Sequence, residues 1–413
     1  MILNKSNKKQ VTLIVLCWAI YTFAYFGKYS YTCNGVPIKR FYGVSSDEFS
    51  LATTFFFFAY GAGQIINGLI CGKYNLRYML TGALILSSAI NISVYLGLPF
   101  YLIKYAWLVN GLCQAILWPS ILRVLSCNLD EKYTKIAVIV MSTTTSVGIL
   151  FVYGTSALFA LFDGFKYSFL LAAVFMTGVA MIWLFSYGKV TEKTKIESYP
   201  ALKAETYLAE TKGSVQGLIF ILMIFGVYAV ATNFIKDGLT TWVPHVLSEQ
   251  YFLTDSLSII LTLVLPLFGI FGAMSSVFLN KFIKEHSDLT GVFFALSALS
   301  TTGIVLLFKT EYWYIILVLF GLVNMFMFGA NNVVTTMLPM KVGKKYNAGL
   351  IGGILNGACY MGSALSQYVI AAIAAATGWN TVMSVLLYLC IFAVAISLSV
   401  HIIKVYVEHI KLK

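Results

Sequence analysis

"KVTEKTKIESYPALKAETYLAETKGS", residues 189–214, is the only long hydrophilic stretch in this chain of 413 residues. On each side of it the sequence is dominated by apolar runs. Hydrophobic residues make up 59% of the chain and charged residues 11%, and the mean hydropathy is +0.84. A soluble protein of this length needs more polar residues than that to face water. Crossing a bilayer takes roughly 20 apolar residues. Runs of that order precede the hydrophilic stretch at 11–33, 50–72, 78–98, 102–125, 135–162 and 167–188. A second set follows at 214–240, 256–280, 289–309, 312–338, 347–376 and 380–405. The pattern predicts an all-α polytopic membrane protein with twelve transmembrane helices in two pseudo-symmetric six-helix bundles. Residues 1–188 form the first bundle, 189–213 a cytoplasmic linker and 214–413 the second.

The net charge of +12 would suggest nucleic acid in a soluble chain. Here no basic cluster is interleaved with aromatics outside the apolar runs, so no nucleic-acid partner is expected. The basic residues instead report orientation. With both termini in the cytoplasm, 21 of the 28 lysines and arginines fall in or beside cytoplasmic segments. Five (Lys39, Arg40, Lys104, Lys166 and Lys309) lie outside. This places the chain as a multi-pass protein of the cell (plasma or inner) membrane. The seven cysteines are Cys17, Cys33, Cys71, Cys113, Cys127, Cys359 and Cys390. They form no CxxC pair and mostly sit in or at the ends of apolar runs, as buried structural thiols do. The first apolar run follows "NKSNKKQ" but is too long for a signal-peptide core and lacks a small-residue cleavage site. It is expected to stay as the first span.

Two lysines fit neither group: Lys28, in "AYFGKYSY" (24–31), and Lys236. They are 208 residues apart, and the same offset carries Lys73 onto Lys281. A duplicated six-span unit gives that pattern, and transporters of this build place their substrate site near mid-membrane between the halves. A lysine there costs at least ~2.5 kcal/mol on insertion scales, and an anionic partner offsets it. Either lysine alone could instead snorkel to a surface, since Lys28 lies 17 residues after Val11, about 25 Å along a helix. Both doing so at matched positions is the weaker reading. An empty site with two uncompensated ammonium groups would disfavour return without cargo, and so favour exchange.

Further polar residues share helical faces with these lysines. Tyr21, Tyr25, Lys28 and Thr32 line one face of the first span. Tyr60, Gln64 and Asn67 line the second, and Asn110, Gln114 and Trp118 the fourth. Hydroxyls run from Ser142 to Ser146 on the fifth. Asn233, Lys236 and Thr240 stack on the seventh, and Asn356, Tyr360, Ser363 and Gln367 on the eleventh. Polar groups facing lipid are costly, so these stripes are expected to turn toward a shared wet cavity. Packing between helices is the plainer alternative for the individual tyrosines and for the hydroxyl run. Of sixteen acidic residues only Asp237 falls within an expected span. Being one residue beyond Lys236, it is expected to face another way. With so few buried carboxylates or histidines, a proton relay is poorly supported. No nucleophile–base pair, metal cluster or nucleotide loop stands out. No catalytic residue, metal or cofactor is expected.

The chain resembles the major facilitator superfamily and, within it, the organophosphate:phosphate antiporter family of glycerol-3-phosphate and hexose-phosphate transporters. "YTFAYFGKYSY", "AYGAGQIINGLICGKYNLR", "GLCQAILWPS", "NFIKDGLTTWVP", "FGIFGAMSSVFLNKF" and "NAGLIGGILNGACYMGS" carry the resemblance. It implies the major facilitator fold and a basic residue from each half clamping a phosphate, at positions matching Lys28 and Lys236. It carries aromatic cavity residues to Tyr21, Tyr25, Tyr60, Trp118 and Tyr360, with Asn233 also among the substrate-binding candidates. The implied activity is alternating-access uptake of a sugar phosphate or glycerol phosphate in exchange for inorganic phosphate, by a monomer in the lipid bilayer. Several positions depart from the family. Both clamp residues are lysine rather than arginine, exchanging a bidentate fork for a point charge and admitting a carboxylate as well. Thr145 stands at the place of a cavity histidine, Gln64 at that of a span-two lysine, and Gly72 at that of a connector aspartate. A membrane sensor of sugar phosphate and a proton-coupled carrier of a carboxylate or other small solute are the alternatives.

Overall fold

The computed structural model describes residues 5–70, 74–191, 215–342 and 348–411. Most of the expected linker, together with Lys73, Lys344 and Lys345, lies outside them. Every regular element among the described residues is helical. Among the described residues, eleven helical stretches are long and apolar enough to cross a membrane, and in the fifth expected span Thr144–Ala160 is a shorter apolar helix. Their outward faces carry large apolar side chains such as Val15, Phe58, Ile182 and Ile402. That much exposed hydrocarbon is tolerable against lipid and not against water.

The chain divides into two compact units. The first comprises Met1–Val44, Leu51–Leu202 and the short Asp255–Ile260; the second comprises Ser45–Ser50, Lys203–Thr254 and Leu261–Lys413. Helices of the first half are α1 (Lys5–Cys33), α2 (Gly35–Tyr42), α3 (Ser46–Ile70), α4 (Leu76–Tyr95), α5 (Phe100–Ala115), α6 (Leu117–Asn128), α7 (Glu131–Ser142), α8 (Thr144–Ala160) and α9 (Lys166–Val190). Helix α1 packs on α8 and α9, and α4 packs on α9 and α5. The second half holds α10 (Val215–Tyr251), α11 (Asp255–Leu261), α12 (Val264–Leu279), α13 (His286–Leu307) and α14 (Trp313–Asn332). A π-helical turn (Val333–Met337), α15 (Leu338–Val342), α16 (Ala348–Thr377) and α17 (Trp379–Lys411) complete it. There α10 packs on α16, α13 on α17 and α12 on α14.

Besides the eighth span, which divides into α11 and α12, three spans depart from straight helices, each for a local reason. The fifth, expected as one run over 135–162, breaks at Thr143 into α7 and α8. Its hydroxyls turn back on their own helix: Thr143 Oγ1 donates to the Val140 carbonyl at 2.8 Å and Thr144 Oγ1 to that of Met141 at 2.6 Å. Such back-bonding competes with the helical ladder and bends it. The fourth breaks between α5 and α6, just before Pro119, which has no N–H to donate. Asn67 of α3 supplies a donor there, its Nδ2 lying 3.0 Å from the Ile116 carbonyl. The tenth widens into the π turn, which ends two positions before Pro339, another residue that cannot continue the ladder.

The two halves repeat a close approach. A Cβ on Gly148 of α8 would lie 2.9 Å from the Thr22 carbonyl oxygen of α1. A Cβ on Gly362 of α16 would collide with the carbonyl oxygen of Val230 on α10. Thr22 and Val230 are separated by the same 208 positions as Lys28 and Lys236. Each half therefore presses a glycine of its fifth helix against the same point of its first, less than two turns from its lysine.

Candidate functional site

In the first unit, α1 brings Lys28 to a place only 9% exposed. Its ammonium lies 4.6 Å from the centroid of the Tyr60 ring, 5.2 Å from Phe57, 5.4 Å from Tyr29, 5.7 Å from Tyr25 and 5.9 Å from Phe56. Aromatic faces attract a cation through the ring quadrupole, by about 0.5–1 kcal/mol at exposed sites and ~2 when desolvated. The tyrosines are joined in turn. Tyr21 and Tyr60 bring their hydroxyls to 3.3 Å, and Tyr25 meets Thr145 Oγ1 at 2.8 Å. The Tyr21 ring packs against Trp118, with centroids 4.7 Å apart. Four helices thus converge, and six expected residues (Tyr21, Tyr25, Lys28, Tyr60, Trp118 and Thr145) stand together. Gln64 is buried one helical turn beyond Tyr60.

In the second unit, α10 carries Lys236 and, beside it, Asp237. The lysine Nζ lies 3.5 Å from Asp237 Oδ1 and 5.1 Å from the centre of the Phe328 ring. The other carboxylate oxygen, Oδ2, accepts a hydrogen bond from Ser363 Oγ of α16. Asn233 Nδ2 approaches that same oxygen at 3.5 Å and Ser363 Oγ at 3.3 Å. Asn233 Oδ1 accepts from Asn331 Nδ2 at 2.8 Å. Both ends of the Asn233 amide are therefore engaged within the protein. Tyr360 is half-buried on α16, in the turn before Ser363.

These positions correct three expectations. Asp237 was expected to face away from Lys236, yet the two are in ion-pair contact. Adjacent Cα–Cβ bonds diverge by about 100° on a helix, but the flexible four-carbon lysine stem covers the difference. Consequently Lys236 is not an uncompensated cation. Finally, the polar stripe of the fourth span does not turn wholly to a cavity. Asn110 donates to the Gly27 carbonyl at 2.8 Å, and Gln114 to the Ala24 carbonyl at 3.2 Å and Ser87 Oγ at 2.9 Å. Those two stitch α5 to α1 and α4; of that stripe, Trp118 alone joins the Lys28 surroundings.

Sequence reading passed over Tyr29, Phe56 and Phe57 around Lys28, and Phe328 and Asn331 near Lys236. The run "TTFFFFAY" (53–60) and the asparagine pair in "FGANN" (328–332) were the available signals.

A chain of apolar helices that largely encloses a lysine in each half, among aromatic rings in one and polar side chains in the other, is built to pass a small solute through a bilayer. It is a transporter and not an enzyme. The chain belongs to the Major Facilitator Superfamily, whose sequence model matches residues 17–367. It is 21% identical to the bovine (Bos taurus) sugar phosphate exchanger 3 over 374 residues, covering 79% of this chain and 74% of that one. It is 22% identical to the hexuronate transporter of Bacillus subtilis over 346 residues, 79% of this chain and 80% of that one. It is also 21% identical to the membrane sensor protein UhpC of Salmonella typhimurium over 170 residues, 41% of this chain but only 38% of that relative's length. Its fold superposes on a bacterial homolog of the human lysosomal transporter Spinster with a TM-score of 0.76 at 14% identity, covering 94% of this chain and 96% of that one.

Proposed function

We propose that this transporter moves an organic anion, a sugar phosphate or glycerol phosphate, in exchange for inorganic phosphate by alternating access. Lys28 and Lys236 both act on its charged group. The observation that carries the reading is one largely enclosed lysine per half at equivalent places in the repeat, Lys28 at 9% exposure and the Lys236 side chain at 14%. Desolvated ammonium groups favour an anionic guest. The rings around Lys28 offer flat apolar faces to the ring of a sugar. The similarity to sugar phosphate exchanger 3 points the same way. On this reading the protein is a monomer in the plasma or inner membrane with both termini cytoplasmic, as the lysine and arginine distribution favours.

Uptake of labelled sugar phosphate into vesicles preloaded with inorganic phosphate tests the exchange. Internal phosphate is expected to accelerate uptake, and collapse of the pH gradient to leave it unchanged. The similarity to a hexuronate transporter and the use of lysine rather than arginine favour one second reading, a carrier of sugar carboxylates. Uptake that ignores internal phosphate and follows the pH gradient would support that reading. Binding without uptake would identify a sensor.

A further inference from the structure

We infer that Asp237 is a resident counter-ion: it occupies Lys236 when no cargo is bound and thereby lets the empty carrier return. The inference rests on the reading of Lys236 as an anion-binding group. Among the described residues, Asp237 is the one acidic side chain in the buried set, at 7% exposure. Its two oxygens do different work. Oδ1 faces Lys236 at 3.5 Å. Oδ2 is held independently of that lysine, by Ser363 and by Asn233, which Asn331 in turn orients. When an incoming anion draws the ammonium away, the carboxylate keeps its other donors and is not stranded. When the anion leaves, the carboxylate is already in place to receive the lysine. A buried ion pair broken on one side leaves an expensive lone charge, and this arrangement avoids that in both states.

Two consequences follow from the electrostatics. Asp237 competes with cargo, so it weakens anion binding. It also neutralises Lys236 in the empty state, so the cargo is not required for that charge to be compensated. A carrier with Asp237 therefore supports net flux alongside exchange.

The test uses full-length purified protein, with inorganic phosphate as the probe for calorimetric binding. After reconstitution, phosphate efflux is measured into buffer without phosphate (net flux) and with it (exchange). Asp237→Asn keeps the shape and removes the charge. It is expected to bind phosphate about tenfold more tightly, the scale of one charged hydrogen bond. Its ratio of net flux to exchange should fall by a similar factor. Ser363→Ala removes a donor from Asp237 and makes it lean harder on Lys236, so phosphate binding is expected to weaken. Opposite signs in the two variants are not what general damage gives, and thermal unfolding midpoints register such damage directly. An Asp237→Asn protein that binds phosphate no more tightly and keeps the parental flux ratio overturns the inference. A Lys236→Gln protein that binds phosphate like the parent overturns instead the reading on which it rests.

Discussion

The ammonium of Lys28 lies 4.6 Å from the centre of the Tyr60 ring, and the Tyr60 hydroxyl is 3.3 Å from that of Tyr21. The ring and the hydroxyl can be separated by mutation. Tyr60→Phe keeps the aromatic face and is expected to leave the KM for uptake within a few-fold of the parent. Tyr60→Leu removes the face and should raise KM by about tenfold, the equivalent of a desolvated cation–π contact of ~1–2 kcal/mol. Equal effects from both substitutions would mean that the hydroxyl, not the ring, is what matters.

Lys28→Ala and Lys236→Ala are each expected to abolish uptake while the protein still inserts and purifies as a monodisperse species. Arginine at either position should retain more activity than glutamine, because charge is preserved though its geometry changes. Parental uptake rates in either alanine variant would contradict the role given to these lysines.

Gly148 and Gly362 have no room for a side chain against the backbones of Thr22 and Val230. Gly148→Val and Gly362→Val are expected to lower the thermal unfolding midpoint, at an overpacking cost of about 1–3 kcal/mol each. Gly154, which has open space around it, provides the control: Gly154→Ala should leave the midpoint unchanged.

Just before the first residue of α13, Glu285 receives Lys404 at 2.9 Å and has Lys341 at 3.9 Å. The hydrogen bond from Lys404, more than the nearby lysine charges, holds its carboxyl below the ordinary glutamate range. The folded protein thus binds this proton less readily than the unfolded chain. The resulting stabilisation is fully present above the ordinary glutamate value and is lost as pH falls through the lowered one. The midpoint should therefore drop on acidification, and Glu285→Gln should reduce that drop. The pair is exposed, so salt should shrink the effect too.

The fold was legible because lipid imposes a coarse rule on sequence. Long apolar stretches separated by basic connectors mark spans whatever their detailed packing, and an isolated lysine within one is conspicuous. Interhelical choice was harder to read. Asn110 and Trp118 share a face of the fourth span, yet one stitches helices together and the other meets Tyr21, because a helical wheel gives a direction without naming the neighbour. Asp237 was misjudged for a related reason. Wheel angles describe Cβ positions, whereas ion pairs form between the ends of long flexible stems. The break at Thr143 followed from hydroxyls bonding their own backbone, a competition that hydropathy does not register.

The π turn at Val333–Met337 has a consequence for the register of the tenth span. A turn of this kind holds one residue more than the α repeat requires. The asparagines just before it are committed to partners on two different helices, Asn331 to Asn233 and Asn332 to Ser276, each at 2.8 Å. Deleting a single residue from 333–337 would restore the ordinary repeat and rotate one flank by about 100° relative to the other. Either those amides or the segment leading through Pro339 would then point the wrong way. Chain length at this spot is therefore as tightly specified as any side chain, although substitutions alone would never reveal it.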